Sequence, residues 1–426
     1  MKSRTMGDSG SSTARADLPR VLVLDEELPL PSNTGKRVRT INLLRHLVGR
    51  FRIEILVHLN GASKSRLEEL GRLGMTVHVA QSRVPEKRGS RFYLRLTRNL
   101  FSPHPYTVTS HYQRGYRDAL AGLLRNGYDL IHCEWTPYFS YWTPSRVPWV
   151  VSAHNIESAI WTRLAATETH PAKRAYLGLQ ARRMLFFERK VFSSVRFATA
   201  VSADDARQIE QWGCPRVQLV PNGVDLIEFA PRNGASVDPR GIIFIGSMDW
   251  RANQDAVRWF LEKVHPRLQA VCDYRLTIVG RNPPGWLLER SRIPPEFEVA
   301  GEAADVRPYL ERSAVVVVPL RVGGGSRLKI LEAFACGKPV VSTRIGAEGL
   351  DVADEEDLLI ADTPQEFAEA IRLLIDDSKR REDLGGAGRR LVEAQYGWAR
   401  IADAQAGLWR EAIGTRTHWG EDRPVS

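Results

Sequence analysis

Residues 314–343, AVVVVPLRVGGGSRLKILEAFACGKPVVST, contain the clearest structural pattern in the sequence. It opens with a continuous apolar run, which is typical of a strand buried on both faces of a parallel sheet. A glycine-rich turn follows, and residues 326–336 then have the apolar spacing of a helix. A second apolar run, 339–343, predicts the next strand. The order of strand, turn, helix and strand indicates a doubly wound α/β domain.

The turn between this strand and helix has the composition of an anion-binding site. Glycines allow the backbone to approach a ligand closely, and the first N–H groups of a helix have no partner within the helix. Such a helix start favours a phosphate. The candidate donor-binding residues here are Gly323, Gly324, Gly325, Ser326, Arg327, Leu328, Lys329 and Glu332.

Three side chains of this segment have chemistry that suits a nucleotide. Arg327 and Lys329 add positive charge, and an arginine can bind phosphate oxygens with two parallel hydrogen bonds. Glu332 can accept hydrogen bonds from ribose hydroxyls. The alternative is a glycine-rich turn with a solvent-facing Arg/Lys pair and a surface glutamate.

The same alternation of apolar runs and amphipathic stretches extends along the chain and predicts parallel strands covered by helices. The predicted strands are 21–26, 52–58, 75–80, 128–134, 148–154, 197–202 and 217–221, then 241–247, 274–280, 297–301, 314–320, 339–343 and 357–361. The predicted helices include 37–48, 181–192, 255–268, 305–312, 364–375, 380–396 and 398–413.

The segment from residue 222, PNGVDLIEFAPRNGASVDPRG, is rich in Pro, Gly, Asn and Asp and predicts a linker. We therefore expect a flexible tail at 1–20 and domains at 21–215 and 216–396. Residues 397–426 form a C-terminal helix, expected to pack back toward the N-terminal domain, and a polar tail. Two doubly wound halves place a crevice between the carboxyl ends of their strands, where such folds bind ligands.

Composition excludes several classes of protein. The 426 residues, 43% hydrophobic and 26% charged, are typical of a globular chain with two domains. No apolar run is long enough to cross a bilayer, and the N-terminus lacks the apolar segment of a signal peptide, so we expect a cytoplasmic protein. The four cysteines stand singly among apolar segments, which predicts buried thiols and no zinc site.

The net charge of +10 is concentrated in the first half of the chain. Residues 1–215 contain 32 Lys+Arg against 18 Asp+Glu, whereas residues 216–426 contain 28 against 32. The basic segment 83–98 interleaves arginines with Phe92, Tyr93, Leu94 and Leu96, so it could lie on an anionic membrane that carries a lipid-linked acceptor. The alternative is an ordinary solvated face. No nucleic-acid-binding module accompanies the charge, and we expect no nucleic-acid partner.

Several segments in a consistent order resemble retaining, family 4-type glycosyltransferases of the GT-B fold. These segments are PLPSNTGKRVRTINLLRHL, SAHNIES, VQLVPNGVDLIEF, FIGSMDWRANQDAVRWF, LTIVG and FEVAGEAADVRPYLERSAVVVVPL, together with the glycine-rich block. The resemblance spans most of the chain after residue 20. It is nearest to sugar transferases associated with exopolysaccharide gene clusters. It implies two Rossmann-like domains that face a central cleft.

The resemblance assigns roles to residues of the second half. Glu332 matches the second glutamate of the family's E-x7-E motif, which binds the ribose of the donor nucleotide. The first glutamate, which contacts the transferred sugar, falls at Gly324, so the sequence departs from the family there. Many relatives carry an Arg and a Lys after the strand that ends at Gly246, but Ser247 and Asn253 stand at these positions. We therefore expect Arg327 and Lys329 to supply the charge that neutralises the diphosphate.

In the first half, the resemblance places the loop containing Asn33 and Gly35 beside the donor phosphates and the acceptor. It matches His154 to the family's histidine near the reacting sugar, which could bind the sugar or stabilise developing charge. Glu134 ends a neighbouring strand and is a candidate for the acceptor side. The alternatives are an ordinary strand-to-helix turn at Gly35 and a structural histidine at position 154.

The implied reaction is transfer of a hexose, with retention of anomeric configuration, from a nucleotide-diphosphate sugar to a glycan or lipid-linked acceptor. The departing diphosphate assists the acceptor hydroxyl, and the protein positions the reactants. We expect no cofactor and no metal, since basic residues and the helix end take the metal's role. The alternatives are a non-catalytic nucleotide-sugar-binding or scaffold protein and a GT-B epimerase. No G-x-G-x-x-G pattern follows a strand, which disfavours an NAD-dependent oxidoreductase.

Overall fold

The computed structural model describes residues 17–232, 234, 236–292, 297–322 and 327–415. The predicted ligands Gly323, Gly324, Gly325 and Ser326 lie outside the described residues, as do most of the predicted tail 1–20 and the end of the chain from 416. The chain divides into two compact units. The first comprises the residues up to Val220 together with those from Ala402, and the second comprises Pro221–Ile401.

The first unit is built on a parallel sheet of seven strands in the order β3-β2-β1-β4-β5-β6-β7. The strands are β1 (Arg20–Leu24), β2 (Arg52–His58), β3 (Thr76–Ala80), β4 (Leu130–Cys133), β5 (Trp149–Ala153), β6 (Phe197–Ala200) and β7 (Arg216–Leu219). The order reverses between β1 and β4, which pair directly, with Val21 opposite Leu130. Loops at the carboxyl ends of these two strands therefore meet at a topological switch point, where ligands bind in such sheets.

Helices connect these strands. They are α1 (Gly35–Leu47), α2 (Lys64–Arg72), α3 (Ser90–Asn99), α4 (Tyr106–His111), α5 (Arg114–Leu123), α6 (Glu157–Thr167), α7 (Pro171–Ser194) and α8 (Ala203–Gln211), with 3-10 turns at Leu124–Asn126 and Thr136–Tyr141. The core includes Leu22, Leu24, Ile131 and Val151, all with no exposed surface.

The second unit repeats the arrangement with six parallel strands in the order β10-β9-β8-β11-β12-β13. The strands are β8 (Asp238–Ile245), β9 (Arg275–Val279), β10 (Phe297–Gly301), β11 (Ser313–Val318), β12 (Val340–Ser342) and β13 (Leu359–Ile360). Here the order reverses between β8 and β11. Every residue of β11 is buried, because the sheet carries helices on both faces.

The helices of this unit are α9 (Arg251–Trp259), α10 (His265–Gln269), α11 (Gly285–Arg290), α12 (Arg307–Arg312), α13 (Leu328–Ala335), α14 (Arg344–Ala347), α15 (Pro364–Asp376) and α16 (Ser378–Gln395). A π-helical turn, Phe260–Val264, joins α9 to α10. The last helix, α17 (Trp398–Gly414), begins in the second unit and ends in the first.

The doubly wound fold is confirmed, and each predicted strand is present, although most strand bounds differ by a few residues. Three larger differences concern a domain boundary and two helices. The first domain ends after Val220 and not at residue 215, because β7 pairs with β6. The helix predicted at 255–268 begins earlier and contains the π turn, which precedes a proline that cannot donate a helical hydrogen bond. The helix predicted at 326–336 is observed as α13 from Leu328, and the residue before it, Arg327, adopts a left-handed backbone conformation (φ 50°).

Candidate functional site

Four of the donor-binding candidates lie at the switch point of the second unit: Gly246, Ser247, Lys329 and Glu332. Gly246 and Ser247 follow β8, and α13, which carries Lys329 and Glu332, follows β11. A Cβ atom on Gly246 would lie 3.0 Å from Nζ of Lys329 and 2.8 Å from Nδ2 of Asn253. A larger residue at position 246 would therefore displace the ends of these two side chains from the turn.

Lys329 is held at this turn by neighbours from two segments, β8 and α9. Its Nζ donates to Oδ1 of Asn253 at 3.0 Å, and it lies 4.6 Å from the ring centroid of Phe244. Nδ2 of Asn253 in turn donates to the backbone carbonyl of Ser247 at 2.7 Å. Burial lowers the pKa of Lys329 to about 7, and the charge of Arg327 acts in the same direction. An incoming phosphate would favour the charged ammonium.

Arg327 has a different environment from the one the sequence suggests. Its side chain is buried, and its guanidinium donates to the backbone carbonyl of Glu348 at 3.0 Å and to the Glu348 carboxylate at 3.2 Å. Binding a phosphate would require Arg327 to exchange these contacts. Among the described residues, Lys329 contacts the turn after β8, whereas the described side-chain contacts of Arg327 are with Glu348.

Arg281 lies at the same edge of the sheet and was not anticipated from the sequence. It follows β9, and its Nε donates to Oγ of Ser247 at 3.1 Å and to Oδ2 of Asp249 at 2.8 Å. The amide of Asn282 donates to the other oxygen of Asp249 at 2.8 Å. A cation thus contacts Ser247, the position where many relatives in the resembled family carry an arginine. The only signal in the sequence is the placement of Arg281 just after a strand that neighbours β8.

Glu332 lies on α13, three residues after Lys329, and is partly exposed. Burial raises the pKa of its carboxyl group to about 7, although Lys329 opposes this shift and Glu228 adds to it. The carboxyl group therefore changes charge near neutral pH. A carboxylate at this position can accept two hydrogen bonds from a diol such as the ribose 2′- and 3′-hydroxyls.

In the first unit, the structure brings Glu134 and His154 together. Glu134 follows β4 and His154 follows β5, and Nε2 of His154 lies 3.1 Å from Oε1 of Glu134. The same oxygen accepts the hydroxyl of Thr40 at 3.0 Å, and the other oxygen contacts Nε2 of His132 at 2.9 Å. Burial acts to raise the pKa of Glu134, but the hydrogen bonds from His132 and His154 bring it well below its usual value.

These contacts change the interpretation of Glu134. Its side chain is buried and its two oxygens are occupied by donors, so the structure does not present it as a free acceptor-side carboxylate. His154 is partly exposed, and burial lowers the pKa of its imidazole although Glu134 opposes the shift. A neutral imidazole that donates from Nε2 has Nδ1 left as an acceptor.

The loop before α1 is formed by Thr34, Gly35 and their neighbours. Oγ1 of Thr34 accepts the backbone N–H of Arg37 and caps the helix, and Oδ1 of Asn33 accepts from the Arg37 guanidinium at 2.9 Å. Lys36 contacts the buried Asp25 at the end of β1, at 2.5 Å. In the described part of the chain, Asn33 and Gly35 form no hydrogen bond or ion pair with Glu134 or His154.

The described ranges contain no cluster of three or more His, Cys, Asp or Glu side chains arranged to hold a metal ion. Among the helices of those same ranges, none combines the length and the apolar character that crossing a bilayer requires. The four cysteines are all unpaired thiols, and three of them are buried.

Comparisons with known proteins match both halves of the chain to glycosyltransferases. Residues 239–377 match the family described as glycosyl transferases group 1, and residues 64–228 match glycosyltransferase family 4. The chain is 26% identical over 329 residues to D-inositol 3-phosphate glycosyltransferase from Kineococcus radiotolerans, covering 68% of this chain and 73% of the relative.

Solved structures share the fold at low sequence identity. Sucrose-phosphate synthase from Thermosynechococcus elongatus superposes with a TM-score of 0.68 at 16% identity, covering 93% of this chain and all of the other. HepE from Anabaena, in complex with UDP and glucose, gives 0.59 at 16% identity, covering 92% and 99%. Each half of the chain thus matches a glycosyltransferase family model, and the solved structures share its fold of two Rossmann-like domains.

Proposed function

We propose that the protein transfers a hexose from a nucleoside-diphosphate sugar to a glycan or lipid-linked acceptor, with retention of anomeric configuration, in the synthesis of an exopolysaccharide or cell-surface polysaccharide. The observation that carries the proposal is the arrangement of Lys329, Asn253 and Arg281 around the turn at Gly246 and Ser247. It places two cations at the switch point of the second sheet, beside the ribose-binding candidate Glu332. HepE, which shares the fold, holds UDP and glucose.

In this proposal, the second unit binds the donor. Lys329 and Arg281 neutralise the diphosphate, the first N–H groups of α13 approach its oxygens, and Glu332 binds the ribose. Lys329 and Arg281 also stabilise the negative charge that develops on the leaving diphosphate, so the reaction requires no metal. The identity of the sugar is left open, because Gly324 replaces the acid that contacts it in the resembled family.

The first unit contributes His154. Its imidazole is oriented by the Glu134 carboxylate, and its free nitrogen can accept a hydrogen bond from a hydroxyl of the transferred sugar. The leaving diphosphate takes the proton of the acceptor hydroxyl on the same face of the sugar. Neither step requires a pair of catalytic carboxylates. The protein contributes positioning and electrostatic stabilisation.

The experiment that tests the donor site is a thermal-shift and calorimetric screen of nucleoside diphosphates and their sugars, because a ligand that binds only the folded state raises its apparent stability. Lys329→Met and Arg281→Ala are each expected to weaken UDP binding by about tenfold, which corresponds to the loss of one charged hydrogen bond. Lys379→Met on α16 and Arg275→Ala at the opposite end of β9 are matched controls, since both side chains are exposed.

The outcomes separate the alternatives. Binding of UDP that is equal in the four variants would overturn the proposed site. Binding without hydrolysis or transfer of any donor sugar would favour the non-catalytic nucleotide-sugar-binding protein. Conversion of the donor into a free epimerised sugar would favour the epimerase.

We further propose that the first unit associates with an anionic membrane surface. The helix α3 carries Arg91, Arg95 and Arg98, and three apolar side chains beside them are exposed: Tyr93 by 67%, Leu94 by 51% and Phe101 by 91%. Exposed aromatic and aliphatic groups interleaved with cations suit the interface of an anionic bilayer. A protein in this position meets a lipid-linked acceptor directly.

Sedimentation with phosphatidylglycerol vesicles tests this surface. We expect binding that weakens as salt increases and that falls about fivefold or more when Phe101→Ser and Tyr93→Ser are combined, since each ring would lose an apolar environment. The control is Leu373→Ser, an exposed leucine on α15 of the second unit. Absence of binding at physiological salt would contradict the proposal. Equal binding by the Phe101→Ser/Tyr93→Ser double variant and by Leu373→Ser would also contradict it.

A further inference from the structure

The helix α17 returns to the first unit and inserts Trp409 next to the cluster around Glu134. The indole is almost fully buried, packs edge-on against Phe51 at 5.1 Å between ring centroids, and lies 5.2 Å from the imidazole of His132. Its Nε1 donates a hydrogen bond to Nδ1 of His132 at 3.3 Å. A row of buried contacts thus joins Trp409 on α17, His132 on β4 and Glu134, which directly follows β4.

The chemistry of the indole fixes the proton on His132. An indole N–H can only donate, so Nδ1 of His132 must be the acceptor and carry no proton. The proton of the neutral imidazole therefore resides on Nε2, which is the nitrogen that contacts Oε2 of Glu134 at 2.9 Å. The other tautomer would place two N–H groups against each other and leave the buried carboxylate without this donor.

The same reasoning continues to His154. The Glu134 carboxylate receives donors from His132 and from Thr40, and an ionised carboxylate can only accept. Nε2 of His154, which contacts Oε1 of Glu134, must therefore carry the proton. Nδ1 of His154 is then the nitrogen with a free lone pair. The row of contacts begins at Trp409 and ends at the imidazole assigned to the reacting sugar.

We propose that Trp409 is a positioning residue for His154. It holds His132 as an Nε2–H donor to Glu134, this donor keeps the buried Glu134 carboxylate ionised, and the ionised carboxylate holds His154 in the Nε2–H tautomer. Without the His132 donor, Glu134 can take up a proton and donate it toward Nε2 of His154, which releases the other tautomer. The role of His154 in transfer rests on the proposed function, whereas the tautomer of His154 is a property of the free protein. The final helix therefore supplies a group on which the site depends, although it lies far along the chain from β4 and β5.

The test uses the full-length protein labelled with ¹⁵N in its histidine side chains, together with Trp409→Phe, which keeps an aromatic ring but removes the N–H donor. In the wild type, we expect His132 and His154 each to show a single Nε2–H tautomer. In Trp409→Phe, we expect both tautomers of His132 and a loss of the single state of His154. The value of kcat should fall by about tenfold, which is the effect expected if the barrier rises by the net worth of one hydrogen bond, with the donor KM unchanged.

Two further variants separate positioning from folding. Trp398→Phe makes the same change on the same helix, where the indole packs against the Gly223 backbone in the second unit, and should leave both histidine spectra and kcat unchanged. His132→Gln retains a side-chain donor toward Glu134 without the histidine tautomers. When Trp409→Phe is added to the His132→Gln variant, kcat should not fall further.

Several results would overturn the proposal. One is a His154 spectrum that is the same in Trp409→Phe and the wild type, and this result counts against the proposal whether or not any donor is turned over. A second is a kcat of Trp409→Phe that equals the kcat of Trp398→Phe. A third is a double variant of Trp409→Phe and His132→Gln in which the loss of kcat is the product of the two single losses. Failure of the proposed function alone would instead appear as an absence of nucleotide-sugar turnover in every variant, with the histidine spectra changing as expected.

Discussion

At the residue scale, Lys329 couples donor binding to pH. Burial lowers its pKa to about 7, so its amine is largely uncharged at pH 8 in the free protein. A diphosphate stabilises the charged form and raises the pKa, so the protein takes up a proton on binding. We predict that UDP affinity falls as pH rises from 7 to 9, by up to about tenfold per pH unit. Calorimetry in buffers of different ionisation enthalpy would measure the proton uptake.

Glu332, on the same helix as Lys329, provides the control for the pH dependence of UDP binding. Glu332 has a pKa raised to about 7, so its carboxylate is already formed over most of this pH range. Glu332→Gln should weaken UDP binding but retain the slope of affinity against pH, whereas Lys329→Met should abolish the slope. A slope that survives in Lys329→Met would show that another group takes up the proton.

The sequence predicts the positions of some residues of the site but not the contacts of others. The positions of Lys329 and Glu332 on the helix after a buried strand follow from the pattern of the glycine-rich block. The burial of Arg327 against Glu348 does not, because Glu348 lies in a later segment whose position depends on tertiary packing. The contact of Arg281 with Ser247 is equally non-local, since it joins the ends of two strands that are 34 positions apart in the chain.

At the element scale, the position of α13 depends on close packing against α16. A Cβ atom on Gly388 would lie 2.4 Å from the Phe334 ring of α13. A Cβ atom on Gly386 of the same helix would approach only the end of the Arg390 side chain, at 3.4 Å. We predict that Gly388→Ala destabilises the protein by about 1–3 kcal/mol, as overpacking does, and weakens UDP binding by shifting α13.

Gly386→Ala tests whether the effect of Gly388→Ala comes from the contact with Phe334. Because alanine is favoured over glycine within helices by up to about 1 kcal/mol, this variant should be neutral or more stable. Urea unfolding measures both effects, and calorimetry compares the affinities for UDP. Equal stability of the two variants would indicate that α16 can move away from α13 at little cost.

The elements themselves were predictable to different degrees. Each strand could be located because buried parallel strands are short apolar runs, as in β11. The helices α3 and α8 were not located individually. In α8 few apolar positions define the helical period, and in α3 apolar residues such as Tyr93 and Leu94 are exposed and form no buried face. The π-helical turn within 255–268 and the left-handed residue before α13 depend on local backbone conformation, which apolar spacing does not encode.

At the scale of the whole molecule, the two units have the same strand order around their switch points, and α17 contributes its last residues to the first unit. The core of that unit is therefore completed only by the end of the chain. We predict that Trp409→Ala, which removes a buried indole from beside Phe51, destabilises the first unit by about 3–5 kcal/mol. Hydrogen exchange should show faster exchange in β1, β2 and β4, while β8–β13 keep their protection.

The matching variant lies in the other unit. Trp259 is buried and packs edge-on against Phe367 at 5.6 Å between ring centroids, so Trp259→Ala should accelerate exchange in β8–β13 and leave β1–β7 unchanged. This reciprocal pattern is expected if each sheet and its helices unfold as a separate cooperative unit. Faster exchange in both sheets from either single substitution would show instead that the chain unfolds as one unit and that α17 transmits stability between the two.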